Sequence, residues 1–148
     1  RGRAGQRAAR ARGVIREGRP GDRSTIRRLQ QHLPEPAPEL LDPVTGGELL
    51  VSTADSSVVG YLLYFPGEPV YAAELVVHPD YRREGRGRAL FRALFDRLDA
   101  GTEVVLRVAA ENEGAQSLYD ELGFERVAVE PDAYDEDVGY RMRAVVDD

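Results

Sequence analysis

Residues 74–88 read ELVVHPDYRREGRGR, an apolar strand-like run that passes through a proline turn into a segment rich in glycine and arginine. After the turn, the spacing of apolar residues changes from the period of a strand to that of a helix. Gly85 and Gly87 let successive backbone N–H groups converge at the positive end of that helix's dipole. Four arginines surround the same point: Arg82, Arg83, Arg86 and Arg88. This arrangement predicts a cradle for a pyrophosphate.

The alternative for this segment is a glycine turn with a solvated arginine cluster. An anionic ligand explains better why four arginines lie within seven residues of an otherwise acidic domain. The dinucleotide pattern G-x-G-x-x-G and the P-loop pattern G-K-[ST] are both absent, which argues against nicotinamide and nucleoside triphosphate ligands.

A second informative segment, residues 112–124, reads NEGAQSLYDELGF. Taken singly, its residues have structural explanations, because Asn112 suits a helix N-cap, Tyr119 falls on an apolar stripe and Gly123 suits a helix end.

Elsewhere the apolar spacing and the turn residues predict two further helices, and strands on either side of them. The predicted helices cover residues 22–33, capped by Asp22, and 85–99; the predicted strands are 14–15, 48–53, 57–65, 70–77, 103–109, 124–129 and 138–145, with an acidic loop at 131–137.

Together, V-x-H-P-x-Y-R-x-x-G-x-G and N-x-x-A-x-x-L-Y-x-x-L-G-F resemble the GNAT superfamily of acyl-CoA-dependent N-acetyltransferases. The resemblance is densest over residues 74–124. It implies a single-domain α/β (mixed α+β) fold, with a mixed, mostly antiparallel twisted sheet, helices on both faces and splayed central strands. It also implies transfer of the acetyl group of acetyl-CoA to a primary amine, either a small molecule or a protein N-terminus, by direct attack and without a metal.

The resemblance also implies roles for particular residues. Tyr119 matches the tyrosine whose hydroxyl lies near the thioester sulfur, where it can protonate the leaving thiolate. A strand N–H near Val77 would stabilise the oxyanion. The residues implied to bind the cofactor are Leu75, Val76, Val77, Arg82, Arg83, Gly85, Arg86, Gly87, Arg88 and Asn112.

The general base is where the chain departs from the family pattern. Relatives that acetylate protein N-termini tend to have a glutamate where this chain has Arg107. We therefore expect Glu74, an acid inside an apolar strand beside the expected acyl site, to serve as the base or to hold the acceptor's ammonium. A solvent-facing strand residue is the alternative interpretation of Glu74. His78, which precedes Pro79, is expected to shape its loop rather than to catalyse.

Composition limits the remaining function classes. Residues 1–13 contain five arginines and no acid, which predicts a disordered arginine-rich tail before one domain over residues 14–148. That domain holds all 26 acidic residues against 15 arginines, a net charge of −11, so phosphate repulsion argues against general nucleic-acid binding. Two alternatives stay open: a non-catalytic acyl-CoA-binding module, and an RNA- or ribosome-associated protein that uses the basic tail.

Cysteine is absent and the two histidines are far apart in sequence, which argues against a metal centre. No apolar run reaches membrane-spanning length, so we expect a cytoplasmic protein. The acceptor, the acyl-chain preference and the oligomeric state stay open, although dimers are common in the resembled family.

All basic residues besides histidine are arginine, and the domain is strongly acidic. These features suggest adaptation to a high-salt cytoplasm, although a GC-rich genome would also replace lysine with arginine. If the salt interpretation is right, the free energy of unfolding falls when salt is lowered from molar to low concentration, because repulsion between carboxylates is then less screened. Urea denaturation at the two salt concentrations measures this, and equal unfolding free energies would contradict it.

Overall fold

The computed structural model describes residues 14–134 and 137–147, with the side chains of 132–134 left undescribed. The predicted tail, residues 1–13, lies outside this range. The strands are β1 (Val14–Glu17), β2 (Glu48–Ala54), β3 (Ser57–Phe65), β4 (Val70–Val77), β5 (Glu103–Ala109), β6 (Glu125–Tyr134) and β7 (Asp137–Val145). The α-helices are α1 (Arg23–Gln30), α2 (Arg86–Asp96) and α3 (Glu113–Glu121). No helix in the described part of the chain is long and apolar enough to cross a membrane.

The strands form one mixed sheet in the order β1-β2-β3-β4-β5-β7-β6. Neighbouring strands are antiparallel except β4 and β5, which run parallel. These two pair only through Val70 with Val104 and Tyr71 with Val105, and beyond that point they separate. The expected mixed, mostly antiparallel sheet with splayed central strands is confirmed.

Helices cover both faces of the sheet, as expected. On the α1 face, Ile26 and Leu29 pack against a small core that includes Tyr61 and Val76. On the α2–α3 face, α2 and α3 bury a larger core that includes Phe91 and Tyr119. Burial of these apolar side chains away from water is the main force that holds the helices to the sheet.

A β-bulge in β4 decides which face its second half presents. Leu63 lies opposite Glu74, but the next residue of β3, Tyr64, lies opposite Ala72, so Ala73 is the extra residue. A bulge shifts the alternation of side chains by one position. Leu75 therefore packs against the α2–α3 core, and Glu74 turns toward the α1 face together with Val76.

Several local predictions differ from the structure. The first two helices end three residues earlier than predicted, since α1 ends at Gln30 rather than at residue 33, and α2 ends at Asp96 rather than at Asp99. Asp22 precedes α1 without capping it, since its carboxylate accepts hydrogen bonds from the Arg16 guanidinium and the Arg19 backbone. Much of the predicted acidic loop belongs to the β6–β7 hairpin, because Pro131–Tyr134 extends β6. Asp135 and Glu136 lie outside the described residues.

Phe91 lies at the centre of an aromatic cluster on the α2–α3 face. The centroid of its ring is 5.6 Å from the ring centroids of Tyr119 and Phe124. Phe95 is only partly buried and lies at the edge of the cluster. We expect Phe91→Ala to lower the free energy of unfolding by about 3–5 kcal/mol, because it leaves a cavity in a packed core. Urea denaturation measures the loss. Phe95→Ala is the matched control, and an equal or larger loss for the control would contradict this account.

Candidate functional site

The glycine-rich turn has the geometry of a helix N-terminus open to a ligand. Gly85 adopts a left-handed conformation (φ 79°) directly before α2, and Arg83 is also left-handed (φ 63°). A Cβ at Gly87 would lie 3.3 Å from side-chain atoms of both Leu75 and Leu118, so glycine lets α2 approach β4 and α3 closely. The first N–H groups of α2 have no partner within the helix, as at any helix start. The turn thus offers several backbone donors to an anion.

The four arginines of the turn are not equivalent. The Arg86 side chain is buried, with its guanidinium 2.9 Å from Glu84, 3.0 Å from the Ser52 hydroxyl and 3.2 Å from the Thr53 carbonyl. This guanidinium therefore anchors the turn to β2 and is not one of the exposed charges around it. Arg83 is exposed, whereas the remaining two have partners: Arg82 donates to the Val77 carbonyl, and Arg88 pairs with Glu121.

A cleft of about 750 Å³, here called the turn cleft, lies between the glycine-rich turn, β4 and α3. All ten residues that we expect to bind the cofactor line it: Leu75, Val76, Val77, Arg82, Arg83, Gly85, Arg86, Gly87, Arg88 and Asn112. Asn112 also caps α3, since its side-chain oxygen accepts a hydrogen bond from the Ala115 backbone at 3.1 Å. The structural interpretation of Asn112 therefore holds, and its position at the cleft is compatible with a second role.

A second cleft of about 450 Å³, the splay cleft, lies where β4 and β5 separate. Glu74 and Tyr119 both line it, so the structure brings the two predicted catalytic residues to one opening. The splay cleft adjoins the turn cleft, because Leu75, Asn112 and Ala115 line both.

Glu74 is buried, which excludes the solvent-facing alternative: only 8% of the residue is exposed. The Gln30 amide donates to its two carboxylate oxygens at 3.0 and 3.2 Å, and the Tyr61 hydroxyl donates at 2.9 Å. Burial raises the pKa of Glu74, and these two donors oppose the rise. Burial, together with the Glu74 carboxylate, also raises the pKa of Tyr61. The carboxylate is thus desolvated but held in a fixed orientation.

Gln30 and Tyr61 are functional candidates that the sequence analysis missed. Gln30 is fully buried, and its amide also donates to the Ala37 carbonyl at 3.0 Å. The position of Gln30, four residues after Ile26 on the apolar side of α1, could have indicated this role, because a polar residue there needs a buried hydrogen-bond partner. Tyr61 gave no such signal, since tyrosine is ordinary in a strand.

Tyr119 is 8% exposed and packs edge-on against Phe91 and Phe124, with ring centroids 5.6 and 5.7 Å apart. Edge-to-face packing of this kind fixes the ring plane. The tyrosine therefore belongs to the core and to the wall of the splay cleft at once.

The histidines have structural surroundings. The Asp80 backbone donates to Nδ1 of His78 at 3.1 Å, as expected for a residue that shapes its loop. His32 is distant in sequence, but its ring lies 5.6 Å from that of His78. Among the side chains that the structure describes, no group of three from His, Cys, Asp or Glu could hold a metal ion.

Comparisons with known proteins agree with this geometry. Residues 22–124 match the model of the acetyltransferase (GNAT) family. The chain is 56% identical over 54 residues to a mycothiol acetyltransferase from Parafrankia, and 40% identical over 62 residues to the ribosomal protein bS18 alanine N-acetyltransferase of Escherichia coli. These matches cover 36% and 40% of this chain, but only 17% and 42% of the two relatives, so the chain matches less than half of either.

The fold is similar to that of solved acetyltransferases. The crystal structure of the ribosomal-protein alanine N-acetyltransferase from Escherichia coli superimposes with a TM-score of 0.81, over 92% of this chain and 95% of that one, at 21% identity. At this identity the likeness concerns the fold alone. The family model, by contrast, covers more than half of the sequence, and this chain therefore belongs to the GNAT acetyltransferase family.

Proposed function

We propose that this protein is an N-acetyltransferase that transfers the acetyl group of acetyl-CoA to a primary amine. The observation that carries the proposal is the junction of two clefts at the gap between β4 and β5. The residues expected to bind the cofactor line one cleft, and a buried carboxylate and a tyrosine line the other.

The residues present fit acetyl-CoA. The backbone donors at the start of α2, with exposed Arg83 beside them, suit the pyrophosphate. Between Ala72 and Val77, the edge of β4 that faces β5 has no pairing with β5 in the described residues, so backbone groups of Leu75, Val76 and Val77 can bind a pantetheine arm. When bound, acetyl-CoA supplies the thioester whose carbonyl carbon the amine attacks.

Glu74 acts on the amine. A primary amine is mostly protonated near neutral pH and must lose a proton before it can attack. The Glu74 carboxylate holds the ammonium and accepts this proton, directly or through a water molecule. Its raised pKa makes it a better proton acceptor than an exposed glutamate, while Gln30 and Tyr61 keep it oriented.

Two other groups stabilise the changes in charge. A backbone N–H near Val77 donates to the carbonyl oxygen as negative charge develops there. Tyr119 donates its proton to the leaving sulfur, so that a thiol rather than a thiolate departs. The nitrogen gains the acyl group, the carbon–sulfur bond breaks, and no covalent enzyme intermediate is needed.

The named relatives do not point to a single acceptor, because one is a mycothiol acetyltransferase and the other a ribosomal-protein acetyltransferase. The proposed acceptor is therefore a primary amine, either of a small molecule or of a protein N-terminus. A non-catalytic acyl-CoA-binding module is the second candidate, since Arg107 stands where N-terminal acetyltransferases tend to carry glutamate.

A role of residues 1–13 on RNA or ribosomes is tested by deleting them and measuring co-purification with ribosomes. A cytoplasmic location and a homodimer stay part of the proposal.

The Tyr119 hydroxyl distinguishes a catalyst from a binding module. We expect Tyr119→Phe to lower kcat by about 100-fold or more, a typical loss for a general acid, with the affinity for acetyl-CoA unchanged. Thiol release with a panel of amines and N-terminal peptides measures the rate, and calorimetry measures binding. Tyr64→Phe is the control, because the Tyr64 hydroxyl donates to Glu48 and lies outside both clefts. Equal rates for wild type and Tyr119→Phe would exclude the role of the hydroxyl.

The raised pKa of Glu74 leads to a prediction about the pH dependence of kcat/KM. Because only the carboxylate accepts a proton, kcat/KM falls as the pH drops through the pKa of Glu74, which lies above that of an ordinary glutamate. Glu74→Gln should remove this acidic limb and lower the rate about 100-fold, whereas the control Glu48→Gln should keep the limb. A pH–rate profile for the three proteins measures this. An acidic limb that survives in Glu74→Gln would assign the base to another group.

A further inference from the structure

A third cavity lies on the α1 face of the sheet, where β4 and β5 begin to separate. It has a volume of about 310 Å³ and is called here the arginine cavity. Leu106 and Arg107 line both this cavity and the splay cleft, so the two openings adjoin. The residues that line it are Pro69, Tyr71, Val105, Leu106, Arg107 and Arg141.

Two arginines lie side by side at this cavity. Arg107 of β5 and Arg141 of β7 are direct partners in the antiparallel register. Like charges at directly opposite positions destabilise a sheet. Arginine does not lose its charge at accessible pH, so the repulsion cannot be relieved by deprotonation. A bound anion would relieve it.

Neighbouring carboxylates compensate for only part of this charge. Glu130 lies 3.1 Å from Arg107, and Glu103 lies 2.8 Å from Arg143, the next arginine along β7 on the same face. Among the residues that the structure describes, Arg141 has no carboxylate within ion-pair distance. One guanidinium at the cavity therefore has no ion-pair partner in the described structure, although the domain as a whole is acidic.

We propose that the arginine cavity binds a carboxylate of the acceptor, so that the substrate is a primary amine that also carries a carboxylate. This inference rests on the proposed acetyl transfer and names its substrate class. Glu74 holds the ammonium in the splay cleft, while Arg141, assisted by Arg107, holds the carboxylate in the adjoining cavity. A guanidinium binds a carboxylate through two parallel hydrogen bonds, and Val105 forms an apolar wall of the cavity beside the two arginines.

Two sources supply this chemistry, a free amino acid and a peptide with an acidic residue close to its N-terminus. Both place a carboxylate a few bonds from a primary amine. The experiment therefore uses matched pairs: each free amino acid against its amide, and each peptide with glutamate at its second position against the glutamine peptide.

The first arm measures the ratio of kcat/KM within each pair. We expect wild type to prefer the carboxylate member of one pair by about tenfold or more, which corresponds to one charge-assisted contact. Arg141→Gln should bring the ratio close to one, and so should Arg141→Glu, whose new carboxylate can pair with Arg107. The control is Arg143→Gln, which removes an arginine of the same strand and face that does not line the cavity and should keep the preference. Ratios near one for wild type in every pair would overturn the inference while leaving acetyl transfer intact.

The second arm does not need turnover. The Nε–H resonances of the arginines are followed by NMR while N-acetylglycine or N-acetylglycinamide is added. We expect the Arg141 resonance to shift with the acid, to stay unchanged with the amide, and the acid to bind more weakly to Arg141→Gln. If this shift occurs but no amine is acetylated, the carboxylate site stands and the proposed function fails. If neither compound shifts Arg141, the carboxylate site is excluded.

Discussion

The separation of β4 from β5 is the constraint on which the rest of this structure depends. Two residue pairs join the strands, after which each continues without the other. The antiparallel partners on both outer sides, β3 and β7, hold the two strands in place, so the gap cannot close by a shift of either one. Backbone groups of β4 are thereby exposed next to the start of α2, and side chains from both sheet faces reach one opening.

Two charged side chains are buried on the β2–β4 side of this gap, and each secures a segment that the proposed chemistry needs. Arg86 connects the glycine-rich turn to β2. Glu74 connects β4 to α1 and β3, because it accepts hydrogen bonds from Gln30 of α1 and Tyr61 of β3. Desolvation of a charge is costly, so such residues persist only where hydrogen bonds offset much of that cost. Within the residues that the structure describes, the amide oxygen of Gln30 and one guanidinium nitrogen of Arg86 are buried without a protein hydrogen-bond partner.

Sequence patterns predicted the helices and most strand limits, because periodicity and glycine positions are local properties, whereas the resemblance to the family implied the residues that line the turn cleft. They could not predict the direction of Glu74. Strict alternation along β4 would place Glu74 on the same face as Val70 and Ala72, and only the bulge at Ala73, which depends on pairing with β3, turns it to the α1 face. The burial of the Arg86 guanidinium was not predicted for a similar reason, since its partners Ser52 and Thr53 are more than 30 residues away. Arg141 became notable only when the register placed it opposite Arg107.

The hydrogen bond from Gln30 to Ala37 has a consequence for how this protein can change during evolution. The Gln30 amide binds the main-chain oxygen of Ala37, at the end of the proline-rich stretch whose Pro34 and Glu35 form one wall of the splay cleft. A carbonyl is present at every residue, so this contact does not depend on the side chains of the stretch. Mutations at positions 34 and 35 can therefore reshape the wall while the orientation of Glu74 is retained. Acceptor preference and the proposed proton-accepting group can thus diverge independently.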